Sequence, residues 1–89
     1  MQTAYYGESF ELIFDCYDTR NEETEVDSAE YELYVDGAVV ETGSCNVDGN
    51  EVKFRFVASH LGMNTIVIKW RMGQDAWISK FKLNVEDVS

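Results

Sequence analysis

From residue 51 to residue 86 the chain reads EVKFRFVASHLGMNTIVIKWRMGQDAWISKFKLNVE, and apolar side chains recur there at every second position. Val52, Phe54 and Phe56 form one such set, Ile66, Ile68 and Trp70 a second, and Trp77, Phe81 and Leu83 a third. A period of two places alternate side chains on opposite faces of an extended strand, whereas an amphipathic helix needs apolar residues three and four apart. No window of helical length carries the latter pattern. The alternation extends upstream, where Phe10, Leu12, Phe14 and Cys16 fall on one face of residues 9–17 and Glu11, Ile13, Asp15 and Tyr17 on the other. The chain is therefore expected to be all-β.

Turn chemistry divides the strands. Asp36-Gly37 follows the run EYELYV and supplies the positive backbone angles of a tight hairpin, so residues 38–42 are expected to return as a third strand. NVDGN reads as a further turn cluster, and ASHLGMN as a short crossing with at most one helical turn. For the last hairpin, a four-residue loop over residues 73–76 would set Met72 opposite Trp77, Ile68 opposite Phe81 and Ile66 opposite Leu83. A slip by one residue would turn one apolar set to solvent. The expected core is Phe10, Leu12, Phe14, Leu33, Val52, Phe54, Phe56, Ile66, Ile68, Trp70, Phe81 and Leu83. With 45% hydrophobic and 13% aromatic residues, 89 residues suffice for one small domain.

Charge is divided unevenly. Residues 1–52 hold fourteen acids and one base, whereas residues 53–89 hold six bases and three acids. On neighbouring strands such a split gives cross-strand ion pairs, each contributing about 0.2–1 kcal/mol. Lys53 and Arg55 are expected beside Glu11 and Asp15, and Lys69 and Arg71 beside Glu30 and Glu32. Lys80 and Lys82 have no assigned partner and fall on the last strand, expected to be a sheet edge, where lysines discourage edge-to-edge pairing. An anion-binding stripe would need these cations on one surface with Trp70 and Trp77, but the alternation sends the tryptophans inward. The net charge of −10 also opposes a phosphate backbone, so no nucleic-acid partner is expected.

Reaction chemistry finds little support in the pattern. His60 has no nucleophile beside it, and the carboxylates of NEETEVD lie in a solvated run with nothing to raise their pKa. Cys16 and Cys45 together with one histidine are too few for a zinc site, and Cys16 reads as a buried free thiol. Asp18, Glu22, Glu23, Glu25 and Asp27 are hard oxygen ligands on one loop, but they lack the Asp and Gly spacing of a calcium loop. No enzyme activity, metal or cofactor is implied. No apolar run approaches the length a bilayer requires, and the N-terminus has no signal-peptide pattern, so no membrane partner is expected and the cytosol is the default compartment.

Taken in order, the strands suggest a small immunoglobulin-like two-sheet sandwich of about six to seven strands, with QTAYY as a short edge strand A, residues 9–17 as B, the Asp-Gly hairpin as C and C′, residues 51–57 as E, and the final hairpin as F and G. B should pair with E, and C with F. The segments GESFELIFDCYD, YELYVDGAVVETG, DGNEVKFRF and LGMNTIVIKW together resemble the small immunoglobulin-like modules of tailed-bacteriophage virion proteins, such as the N-terminal domains of baseplate and tail-fibre proteins. The resemblance spans nearly the whole chain and is a pattern of strands and turns. It implies a structural protein of the virion, a capsid decoration or a tail or baseplate module, assembled in the host cytoplasm with other protein subunits. Tyr34, Val67 and Ile78, flanked by Lys80 and Lys82, should share the outer face of the C, F and G sheet as a contact surface; Ile13, Tyr17 and Val57 should lie on the other outer face. A carbohydrate- or receptor-binding module of the same fold is the alternative, with Tyr5, Tyr6, Tyr17 and Tyr34 as the rings that would meet a glycan.

Overall fold

The computed structural model describes residues 2–17 and 25–88. Among these residues eight strands form: β1 (Gln2–Tyr5), β2 (Ser9–Asp15), β3 (Ser28–Val35), β4 (Ala38–Ser44), β5 (Asn46–Asp48), β6 (Glu51–Val57), β7 (Gly62–Met72) and β8 (Asp75–Glu86). They build a five-stranded sheet in the order β1-β8-β7-β3-β4 and a three-stranded sheet in the order β2-β6-β5. This is an immunoglobulin-like sandwich, with β2, β6 and β5 in the places of B, E and D, and β8, β7, β3 and β4 in those of G, F, C and C′. B pairs with E and C with F, both antiparallel.

The strand count exceeds the expected six to seven. Residues 46–48 of the supposed turn cluster form β5, in which Val47 lies opposite Val52, and the turn itself is confined to Gly49 and Asn50. β4 and β5 are separated only by Cys45, so one run of chain leaves the large sheet and enters the small one. β1 and β2 do the same on the opposite flank through a turn at Tyr6 and Gly7, with β1 parallel to β8. Each flank of the sandwich is thus crossed by a strand that changes sheets.

Inward-facing residues of both sheets meet in one core. Val52, Phe56, Ile66, Ile68 and Leu83 are all at or below 1% exposure, and Leu33, Phe54 and Trp70 are also buried. Phe10, Leu12, Phe14 and Phe81 pack against this cluster but stay half-buried. Tyr31 packs on Phe54 in a tilted pair with ring centroids 4.5 Å apart, and Trp70 stacks on Trp77 at 5.7 Å. Tyr31 also crosses Gly43 on β4, where a Cβ would come within 2.7 Å of the ring, so only glycine leaves that approach open.

The last hairpin has a different register from the expected one. Met72 pairs with Asp75, Trp70 with Trp77 and Ile66 with Phe81. The loop is two residues long, with Gly73 at φ 57 in its first position, the requirement of a type II′ turn. The shift is two residues, so every side chain keeps its face. Asp36-Gly37 turns as expected, with φ of 50 and 87.

The crossing between β6 and β7 contains no helical turn. Asn64, fully buried, holds it instead, donating from Nδ2 to the carbonyls of His60 and Gly62 at 3.0 Å each. Two aspartates flanking β3 pin the ends of β7: Asp36 accepts the Met63 N–H at 3.1 Å, and Asp27 accepts the Gly73 N–H at 2.7 Å.

Candidate functional site on the outer face of the large sheet

The pairing of β3, β7 and β8 arranges the outward residues in rows across the strands. One row is Val39, Tyr34, Thr65 and Lys82; the next is Thr42, Glu32, Val67 and Lys80; the next is Ser44, Glu30, Lys69 and Ile78. Tyr34, Val67 and Ile78 therefore run diagonally across three strands, each one row from the next. Diagonal neighbours lie about 7–8 Å apart, within reach of aromatic and long side chains. On one side of this apolar diagonal stand Lys80 and Lys82, and on the other Glu32 and Glu30 with Lys69 among them, which leaves that flank net negative.

A shallow depression of about 470 Å³ follows the diagonal, and all five residues singled out from the sequence, Tyr34, Val67, Ile78, Lys80 and Lys82, line it. Thr65, Glu32, Lys69 and Gly37 complete its wall. Val67, although on the solvent side of the sheet, is only 8% exposed, whereas Ile78 is 64% exposed. The floor is thus already dry and the rim open. Val39 continues the apolar row beyond Tyr34 and is also exposed. Sequence reading missed Thr65, Glu32 and Val39 as neighbours because only the register places them beside the stripe.

Lys69 donates to Glu32 at 3.0 Å, and this hydrogen bond with the attendant charge attraction raises the pKa of the ammonium above its usual value. Glu30, its direct cross-strand neighbour, is not its ion-pair partner. Lys53 pairs with Asp48 of β5 at 3.6 Å rather than with an acid of β2, while Arg55 does lie opposite Glu11. Arg71 lies opposite Ser28, one row beyond the expected acids. Among the described residues Lys80 and Lys82 form no ion pair. Among the described strands theirs is a sheet edge only along residues 75–82; β1 covers residues 83–86, so the last strand is a partial edge rather than a whole one.

The other expected surface is less continuous. Ile13 and Val57 are both exposed on the outer face of the small sheet, but Ile13 lies opposite Lys53 and Val57 opposite Ser9. At about 3.3 Å per residue they stand about 13 Å apart along the strands, with Glu11 and Arg55 between them. The tyrosines do not converge either. Tyr5 lies on β1 at one edge of the five-stranded sheet and Tyr34 on β3, three strands away in the same sheet, while Tyr6 precedes β2 and Tyr17 follows it. Trp70 and Trp77 face inward and the cations of the hairpin outward, so rings and charges lie on opposite faces.

Cys16 is buried and Cys45 half-buried, and both are free thiols whose pKa burial pushes up to about 11. The hydroxyl of Tyr31 donates to the carboxylate of Glu41, which raises the phenol pKa to about 12. His60 places Nδ1 3.2 Å from the Ser59 hydroxyl. Among the described residues no group of His, Cys, Asp and Glu is arranged to hold a metal ion; Asp18, Glu22 and Glu23 of the calcium reading lie outside the described residues.

No family model matches the chain, and neither a curated protein nor a solved structure shows significant similarity to it.

Proposed function

We propose that this chain is a non-enzymatic assembly module that docks against other protein subunits through the outer face of its five-stranded sheet. The observation that carries this reading is the diagonal Tyr34–Val67–Ile78, an apolar stripe with a dry floor, an exposed rim and charge of opposite sign on its two flanks. Such a surface has the anatomy of a protein contact, an apolar centre with a polar rim. The flanking signs fix the orientation of a partner more than they add affinity. The resemblance to tailed-bacteriophage modules supplies the setting: a virion component, as capsid decoration or as part of the tail or baseplate.

The test is co-assembly. The protein should bind a preassembled protein lattice or a defined virion subunit in physiological salt, and should retain neither glycans nor DNA. Ile78→Asp would place an unpaired charge in the contact and cost several kcal/mol of binding. Tyr34→Ala should weaken docking from the opposite end of the stripe. A glycan array with strong hits dependent on Tyr5, Tyr6 or Tyr17, together with unaltered co-assembly by both variants, would replace this reading with the carbohydrate-binding module.

A further inference from the structure

The flank of the sandwich crossed by β1 and β2 is only partly closed. β1 occupies the edge of β8 along residues 83–86, and among the described residues the stretch 75–82 has a neighbour on one side only. β2 borders the same flank from the other sheet, since it continues from β1, and no described strand pairs with its second edge. The direction of the backbone groups follows from the hydrogen bonds already made. Cys16 N–H donates to the Asn50 carbonyl and Ala58 N–H to the Glu8 carbonyl, so even positions along β2 bond to β6 and Ser9, Glu11, Ile13 and Asp15 turn theirs outward. On β8 the Glu86 carbonyl accepts from Tyr6 N–H on the β1 side, so the even positions Ala76, Ile78, Lys80 and Lys82 present theirs to the open edge.

We propose that these two edges are complementary and that a second copy of this chain pairs them, β2 of each copy lying antiparallel along β8 of the other in a closed two-fold dimer. Both stretches are seven residues long, Ser9–Asp15 against residues 76–82. One register satisfies both faces at once. On the outer face Glu11 meets Lys80 and Ile13 meets Ile78; on the inner face Phe10 meets Phe81 and Phe14 meets Trp77. These four rings are half-buried in the single chain, and pairing covers them. The alternatives are disfavoured by charge: β2 against β2 brings Glu11 and Asp15 together with their copies, and β8 against β8 does the same for Lys80 and Lys82. Opposite-sign edges thus oppose like pairing and favour the unlike one, which is the self-complementarity that a two-fold interface requires. The other edge of the large sheet is blunted, because β4 is bulged in its pairing with β3 and carries Glu41 opposite the inward Leu33.

The proposed seam shares Ile78 and Lys80 with the outer-face depression, so Glu11 on the small sheet and Tyr34 at the far end of the stripe are the positions that separate the two contacts. The experiment is sedimentation velocity of the full chain in physiological salt, where screening limits repulsion between two chains of net charge −10. A concentration-dependent dimer is expected. Glu11→Lys and Lys80→Glu should each weaken it about tenfold or more by setting like charges opposite one another, and the chain carrying both changes should recover it. Both positions are exposed, so circular dichroism of each variant should match the parent. Amide exchange should show the N–H groups of Ile13 and Ile78 protected in the dimer and open in the monomer. A monomer at high micromolar concentration, a dimer indifferent to both single changes, or failure of the double change to restore it would each overturn the proposal. Glu11→Lys should leave partner capture by the depression unchanged, and Tyr34→Ala should leave the dimer unchanged.

Discussion

Strands β6 and β2 lie side by side in the small sheet and carry nearly the same inward pattern, yet they are buried to different depths. Val52, Phe54 and Phe56 of β6 are buried, whereas Phe10, Leu12 and Phe14 of β2 remain half-exposed. The side chains are of the same kind and alternate in the same way. What differs is the number of neighbours, because among the described strands β6 has one on each side and β2 on a single side. The same rule separates β7 from β8 in the large sheet, where Ile66, Ile68 and Trp70 are buried while Trp77 and Phe81 are not. Central strands hold the core, and the flanking strands retain apolar surface available for association.

The largest expected effect tests this contrast directly. Phe56→Ala should destabilise the fold by about 3–5 kcal/mol, a large fraction of the ~5–15 kcal/mol available to a small domain. Phe10→Ala, the same truncation opposite it on the neighbouring strand, should cost roughly half as much, since less area leaves water to begin with. Urea denaturation of the two variants gives the comparison, and equal losses would break it.

Cys16 sharpens the contrast, because it lies just past the end of β2 and is nevertheless 2% exposed. Its folded pKa is raised, as are those of Cys45 and Tyr31. A raised pKa means that the folded state holds the proton more tightly than the unfolded one. Stability from the two thiols is therefore complete below about pH 9 and lost as pH rises toward 11; that from Tyr31 is lost between about pH 10 and 12. For Cys16 alone the loss should be on the order of 1–3 kcal/mol. Thermal unfolding of the parent and Cys16→Ala across that range should converge at the alkaline end.

Gly62→Ala should cost about 1–3 kcal/mol, because φ is 107 there and a Cβ would come 2.7 Å from the Asp36 carboxylate. Asp27→Ala, which frees only the Gly73 N–H at an exposed turn, should cost less, about 0.5–1.5 kcal/mol. If the Asp27 loss exceeded the Gly62 loss, the hairpin tip rather than the crossing would be the end that fixes β7. The smallest effect belongs to the exposed pair Lys69–Glu32. A double-mutant cycle with Lys69→Glu and Glu32→Lys should give a small favourable coupling, and the same cycle with Glu30 a smaller one.

Alternation along the sequence by itself determined the all-β class, the pairing of the hairpin strands and the face on which nearly every core residue lies. That follows because a side chain's face depends only on whether its position is odd or even, which survives any register shift of two. It likewise put Tyr34, Val67 and Ile78 on one outer face. Register is a different quantity, set by backbone hydrogen bonding and turn geometry over whole strands. Hence the two-residue loop at Gly73, the diagonal arrangement of the stripe and the choice of Glu32 over Glu30 by Lys69 were decided only by the tertiary structure. β5 escaped notice for a related reason: three residues are too short to carry a period, and they become a strand only because β6 offers a second edge. The partial cover of β8 by β1 has the same origin, since it depends on where in space a four-residue segment meets an edge, and no local pattern encodes that meeting.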